Sequence, residues 1–284
     1  MLSGFMTDTW IVATAVAVVA GVVGFFTVIR GSSFVAHAIP VGAFAGAAGA
    51  SLVGISTLVG LGVFGAGGAV AIALLGRRSR HDVATALALV VMLGLGALFL
   101  GMSTEYAPEI YSLLFGEVLG IGANEVGPTL ALASLSLLAL AAVYRPLLAS
   151  SVLDGTSRSR RSSAMELVFL LVVAVVTTMA VPVVGTLLIF TLMVAPAGAA
   201  RLLADRPHRA ILLSVVIAVA TVWISIALAY LTNWPVGFFV GAGGAVSYAL
   251  ARIGSHWIGS HRSGPRGQLD GTRPETTVLD GVTP

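Results

Sequence analysis

Of the 284 residues, 57% are apolar and 10% charged, with a mean hydropathy of +1.02; soluble domains run at roughly 45–50% and 25%. That excludes a soluble globular protein and describes an all-α polytopic membrane protein. Cysteine is absent, which excludes disulfides and thiolate metal sites. All 15 cationic residues are Arg, so neither a Walker A lysine nor a Schiff-base lysine exists. If ATP drives this chain, another chain hydrolyses it. The net charge of +3 and pI near 9.8 would suit a nucleic-acid binder, but the placement of the arginines points to membrane topology instead.

A helical crossing needs ~20 apolar residues. On that rule the spans fall near 10–29, 34–52, 54–75, 83–102, 126–144, 165–181, 183–195, 210–231 and 235–251. No cationic region precedes the first, so it reads as a retained span rather than a cleaved signal. Breaks occur at Arg30, at Arg77 to Arg80, from Arg145 to Arg161, from Arg201 to Arg209 and after Arg252. The alternate loops carry Asp8, Glu105, Glu109, Glu117 and Glu125 and no Arg. Nine spans with the N-terminus outside and the C-terminus in the cytoplasm put every Arg on the cytoplasmic side. The stretch 165–195 is too long for one crossing. A break at Pro182 gives nine spans; reading it unbroken gives eight and splits the arginines between both sides. Residues 106–125 are amphipathic and acidic, fitting a short outer or re-entrant helix. The membrane domain is 1–253, and 254–284 has the composition of a disordered cytoplasmic tail.

The 34 glycines suit helices that approach closely in lipid, at spacings such as Gly42 to Gly46, Gly116 to Gly120 and Gly237 to Gly241. Gly60-Leu-Gly-Val-Phe-Gly65 satisfies the dinucleotide fingerprint but lies inside an apolar span without a preceding strand, so it reads as packing. His37 is the one histidine placed within a span, where ionisable groups are costly and functional by default. Ser33 lies four residues earlier on the same helical face. A histidine hydrogen-bonded to a neighbouring helix is the alternative. Farther on, Val183 to Arg206 reads VVGTLLIFTLMVAPAGAARLLADR. Two arginines after Pro196 imply that the chain leaves the membrane there and lies at its surface as a short helix.

This last stretch resembles the permease subunits of zinc/manganese/iron ABC importers, in which "vGtLLv…alLv.PaatArlLa" precedes a cytoplasmic helix that docks on the ATPase. Gly31-Ser-Ser-Phe-Val-Ala-His37-Ala-Ile-Pro-Val-Gly42 resembles the family's "gDalsHavlPG", with Ser33 in place of the Asp and Pro40 one residue early. Tyr144-Arg-Pro-Leu-Leu148, followed by Asp154, and Ala229-Tyr-Leu-Thr-Asn-Trp-Pro-Val-Gly237 extend the likeness across nearly the whole membrane domain. The resemblance implies a type II importer-like fold with eight to nine spans. It assigns His37 and Ser33 to a metal pathway, with Glu117 as a mouth carboxylate. ATPase docking falls to Pro196, Ala197, Gly198, Ala199, Ala200, Arg201, Asp205 and Arg206.

The implied partners are a cytoplasmic ABC ATPase, an extracytoplasmic metal-binding protein, a second permease copy and membrane lipid. No stably bound cofactor is implied: the divalent metal is cargo, zinc ranking before manganese and iron. Loss of the carboxylate at position 33 weighs against manganese, which prefers oxygen ligands. A gradient-driven metabolite transporter and a siderophore- or cobalamin-type ABC permease are the alternatives. The Ala-, Gly-, Val- and Arg-rich composition without Lys suits a GC-rich bacterium and its inner membrane.

Overall fold

The computed structural model describes residues 4–76, 81–102, 113–116, 120–153 and 160–262. The helices longer than one turn among them are α1 (Gly4–Ile29), α2 (Ser33–Val53), α3 (Thr57–Gly76), α4 (His81–Met102), α5 (Ala123–Leu153), α6 (Arg160–Val184), α7 (Thr186–Leu203), α8 (Pro207–Thr232) and α9 (Val236–Arg262). All nine are long and apolar enough to cross a bilayer. Within hydrocarbon every backbone group must be satisfied inside the protein, and a helix does so along its own length.

The bundle is organised around α1, which packs against α5, α6, α7 and α8, while α2 is covered by α3, α4, α6 and α7. Glycines set how closely these axes approach. A Cβ at Gly24 would run into the backbone of Met193 on α7, and Gly46 of α2 and Gly60 of α3 stand in each other's way in the same manner. Polar bonds then fix register: the Ser214 hydroxyl of α8 donates to the Gly21 carbonyl of α1 at 2.8 Å. Trp223 Nε1, also on α8, donates to Thr14 Oγ1 at 2.9 Å. Gly60, Gly62 and Gly65 all lie within α3, facing α2 and α6, so the apparent dinucleotide motif is a packing surface.

Several boundaries differ from those predicted. The break between the sixth and seventh spans lies at Gly185, not Pro182, which stays inside α6. Gly185 takes φ +86°, a conformation that a side chain rarely adopts. Against it packs Gly116, at φ +78°, from the short segment 113–116; a Cβ on either glycine would meet the other strand of backbone. The break therefore falls where two backbones meet, and a proline, which removes one donor, bends a membrane helix without ending it.

Pro196 likewise lies inside α7, which is continuous from Thr186 to Leu203 and about 27 Å long at 1.5 Å per residue. No separate surface helix begins there. Helix α5 runs through Arg145 and Pro146 to Leu153, well past the predicted end at 144. Helix α9 continues to Arg262, so 254–262 belong to a helix, and the rest of the predicted tail lies outside the described residues.

Candidate functional site

Helix α2 begins after a tight turn in which Gly31 takes φ +64°. Ser33 is its first residue, and Ser33, His37 and Val41 follow one another at helical spacing, each partly exposed. Val35, Ala36, Ala38, Ile39 and Pro40 between them are buried. Phe34 is exposed beside Ser33 at the start of the helix. Beyond it, as far as Gly42, the partly open positions are His37 and Val41, so the sequence places its imidazole on a partly open helix face. Pro40 has no N–H, so the Ala36 carbonyl, one residue before His37, lacks its helical donor.

His37 is half-buried, and its Nδ1 is buried without a hydrogen-bond partner. Leaving a buried polar atom unpaired costs about 1–3 kcal/mol. The hydrogen-bonded packing alternative predicted a partner for this ring, and Nδ1 has none. What the ring does meet is Phe190 of α7, edge-on, with centroids 5.0 Å apart and planes at 69°. Phe190 itself is half-buried. Its position follows from the α1–α7 crossing, because Met193, one turn along, is the residue seated on Gly24. Nothing in the sequence marks Phe190, one aromatic in an apolar run. Its role depends on which helix lies opposite, and spacing along α7 carries no such information.

Among the described residues, no three His, Asp or Glu side chains come together as a metal-holding group. On the open face of α2, Ser33 carries a hydroxyl and His37 an imidazole. Glu117 lies outside the described residues.

The predicted docking segment divides in two. Pro196, Ala197, Ala199 and Ala200 are buried within the bundle, and Gly198 faces the Tyr248 ring of α9. These small residues let α7 fit between its neighbours and present nothing to a partner. Arg201, Leu203, Asp205, Arg206, His208 and Arg209 are exposed. After Leu203 the chain turns extended at Ala204, and α8 starts at Pro207 with proline in its favoured first position. The surface open to another chain is thus the α7–α8 turn, Arg201 to Arg209.

Among the described residues, nine membrane-length helices with a cationic turn between two of them describe a polytopic membrane protein. The chain belongs to the ABC 3 transport family, whose model matches residues 3–251. It is 26% identical over 268 residues to the manganese import system permease protein ScaB of Streptococcus parasanguinis, covering 90% of this chain and 95% of that one. It is 25% identical over 237 residues to the manganese transport system membrane protein MntC of Listeria innocua, covering 82% and 84%. In three dimensions it matches a chain of PsaBC from Streptococcus pneumoniae, solved in complex with a Fab. The TM-score is 0.77 over 88% of this chain and 91% of that one, at 24% identity, which speaks for the fold. Membership of an ABC family replaces the gradient-driven alternative and identifies a transporter subunit rather than an enzyme.

Proposed function

We propose that this permease imports manganese, entering along the Ser33–His37–Val41 stripe of α2. The observation that carries the reading is the extent of similarity to permeases named for manganese import, up to 95% of a relative's length. That reverses the order drawn from the sequence alone, which ranked zinc first because position 33 lacks a carboxylate. The hydroxyl of Ser33 supplies an oxygen donor one turn from the imidazole, the kind that manganese accepts. The stripe is open on one side, which supports a second permease copy completing the path.

Without a Walker A lysine, the chain takes its energy from a separate cytoplasmic ATPase docked at the Arg201–Arg209 turn. A metal-binding protein delivers cargo on the acidic outer side, with the N-terminus outside and the C-terminus in the cytoplasm. Helix α7 is continuous from Phe190 to Arg201, eleven residues on and with Pro196 between them, so the docking turn and the His37 neighbour belong to one element. Elemental mass spectrometry of metal-starved cells with and without this gene tests the assignment. A selective fall in manganese on deletion is expected; a selective fall in zinc would restore the order read from the sequence. No change in any metal, in cells lacking a redundant importer, would end the metal-import reading.

A further inference from the structure

We propose that Phe190 sets the selectivity of the pathway against magnesium and calcium by keeping one side of the His37 ring dry. The inference rests on the metal-import reading and deepens it. Two observations support it independently of any ligand. The rings of Phe190 and His37 meet at 5.0 Å between centroids, the range of direct aromatic contact, which leaves no layer of water between them. Nδ1 of His37 is buried with no protein partner and is not held in an internal hydrogen bond. The apolar shell thus sits directly on the one strong ligand of the stripe, and such a shell controls how much water reaches a metal site.

Cations differ most in what they ask of that water. Magnesium dehydrates reluctantly and usually keeps several waters in an octahedral shell, while calcium seeks six to eight oxygens. First-row transition metals accept imidazole in exchange for water. An ion that takes His37 as a ligand beside Phe190 must surrender water on the side the phenyl ring covers. For manganese or zinc the imidazole compensates that loss, whereas for magnesium or calcium it does not. Phe190 therefore acts through hydration and touches no metal itself.

The two sources of such an effect, an apolar filler and an aromatic face, separate in two variants. Phe190→Leu keeps the space filled and dry, while Phe190→Ser opens it to water. The full-length chain in nanodiscs is titrated with Mn²⁺ and followed by electron paramagnetic resonance, then competed with Mg²⁺ and Ca²⁺. His37→Ala identifies which part of the signal belongs to this site. In Phe190→Ser we expect Mg²⁺ and Ca²⁺ to displace Mn²⁺ about 10-fold more effectively than in the parent, the lower end of outer-shell effects on metal sites. Phe190→Leu is expected to keep the parent ratio, and circular dichroism and monodispersity check that both variants fold. A Phe190→Ser protein with unchanged competition overturns the proposal. So does a Phe190→Leu protein that shifts as far as Phe190→Ser, since the ring's aromatic face rather than dryness would then be responsible. Absence of any His37-dependent Mn²⁺ signal in the parent removes the pathway reading itself, and the selectivity role falls with it.

Discussion

Helices α6 and α8 have nearly the same mean hydropathy, 2.8 and 2.7, yet 72% of the apolar window of α6 is buried against 33% of that of α8. Hydropathy says only that a segment crosses, because a lipid tail and a protein interior are equally apolar. The difference lies in position: α6 packs against α1, α2, α3, α5 and α7, whereas α8 packs against α1, α7 and α9. Helix α6 is enclosed on most sides and buries large residues, Phe169, Leu170 and Met179, together with Val173, Val176, Ala180, Val181 and Val184. Helix α8 buries one seam, Ala210, Ser214, Ala218, Val222, Ser225 and Ile226. It turns Leu212, Val216, Ile224 and Leu231 outward, each more than half exposed. The small residues of that seam let helix backbones approach closely.

The sharpest break of this contrast is to enlarge one residue on each helix. Val176→Phe on α6, where the side chain is fully buried, should cost about 1–3 kcal/mol or more through overpacking. Val216→Phe on α8, 54% exposed, should leave stability within about 0.5 kcal/mol. Gly24→Leu should be worse than either, since its side chain would collide with the α7 backbone and little monodisperse protein is expected. Thermal unfolding in detergent and size-exclusion profiles provide the readout. Equal tolerance at 176 and 216 would mean that the burial of α6 is not what distinguishes it.

A second contrast runs along α7, between its buried middle and its exposed end. Arg201→Glu reverses charge at the turn without touching the packed Ala197–Ala200 stretch. Uptake should be abolished at normal expression, with the ATPase lost on co-purification. Retained co-purification would move the docking surface elsewhere. Ala199→Leu, by contrast, lies in the bundle and should lower stability before it affects docking. His37→Ala should reduce metal uptake by an order of magnitude, within the about 10–100-fold by which even outer-shell changes alter metal sites, with the thermal midpoint held. Full uptake by that variant would make His37 a packing residue.

The sequence made the crossings legible because ~20 apolar residues and one-sided arginines answer to the bilayer alone. It also singled out His37, whose cost in a span is intrinsic to the side chain. The errors share a cause. Pro182 and Pro196 looked like endings, but each lost hydrogen bond is a local defect that neighbouring helices absorb. The true break at Gly185 depends on Gly116 arriving from a distant segment. Phe190 opposite His37, and the division of Pro196–Arg206 into a packed and an open half, are likewise facts about neighbours.

The smallest effect expected is at Ser33, where the chain departs from the pattern it otherwise resembles. Ser33 begins α2, and Ser32 before it makes no side-chain capping bond. An aspartate in this first turn is favoured by the helix dipole by about 0.3–1 kcal/mol, and partial exposure of the position limits its desolvation. Ser33→Asp should therefore fold as well as the parent. It adds a hard oxygen ligand one turn from the imidazole, so it should shift preference toward manganese over zinc, which relies less on carboxylate. Competition between the two metals in uptake by metal-starved cells measures that ratio. A rise of a few-fold would place the oxygen donors of the stripe among the determinants of cargo. An unchanged ratio would mean that position 33 is a bystander on the same helical face.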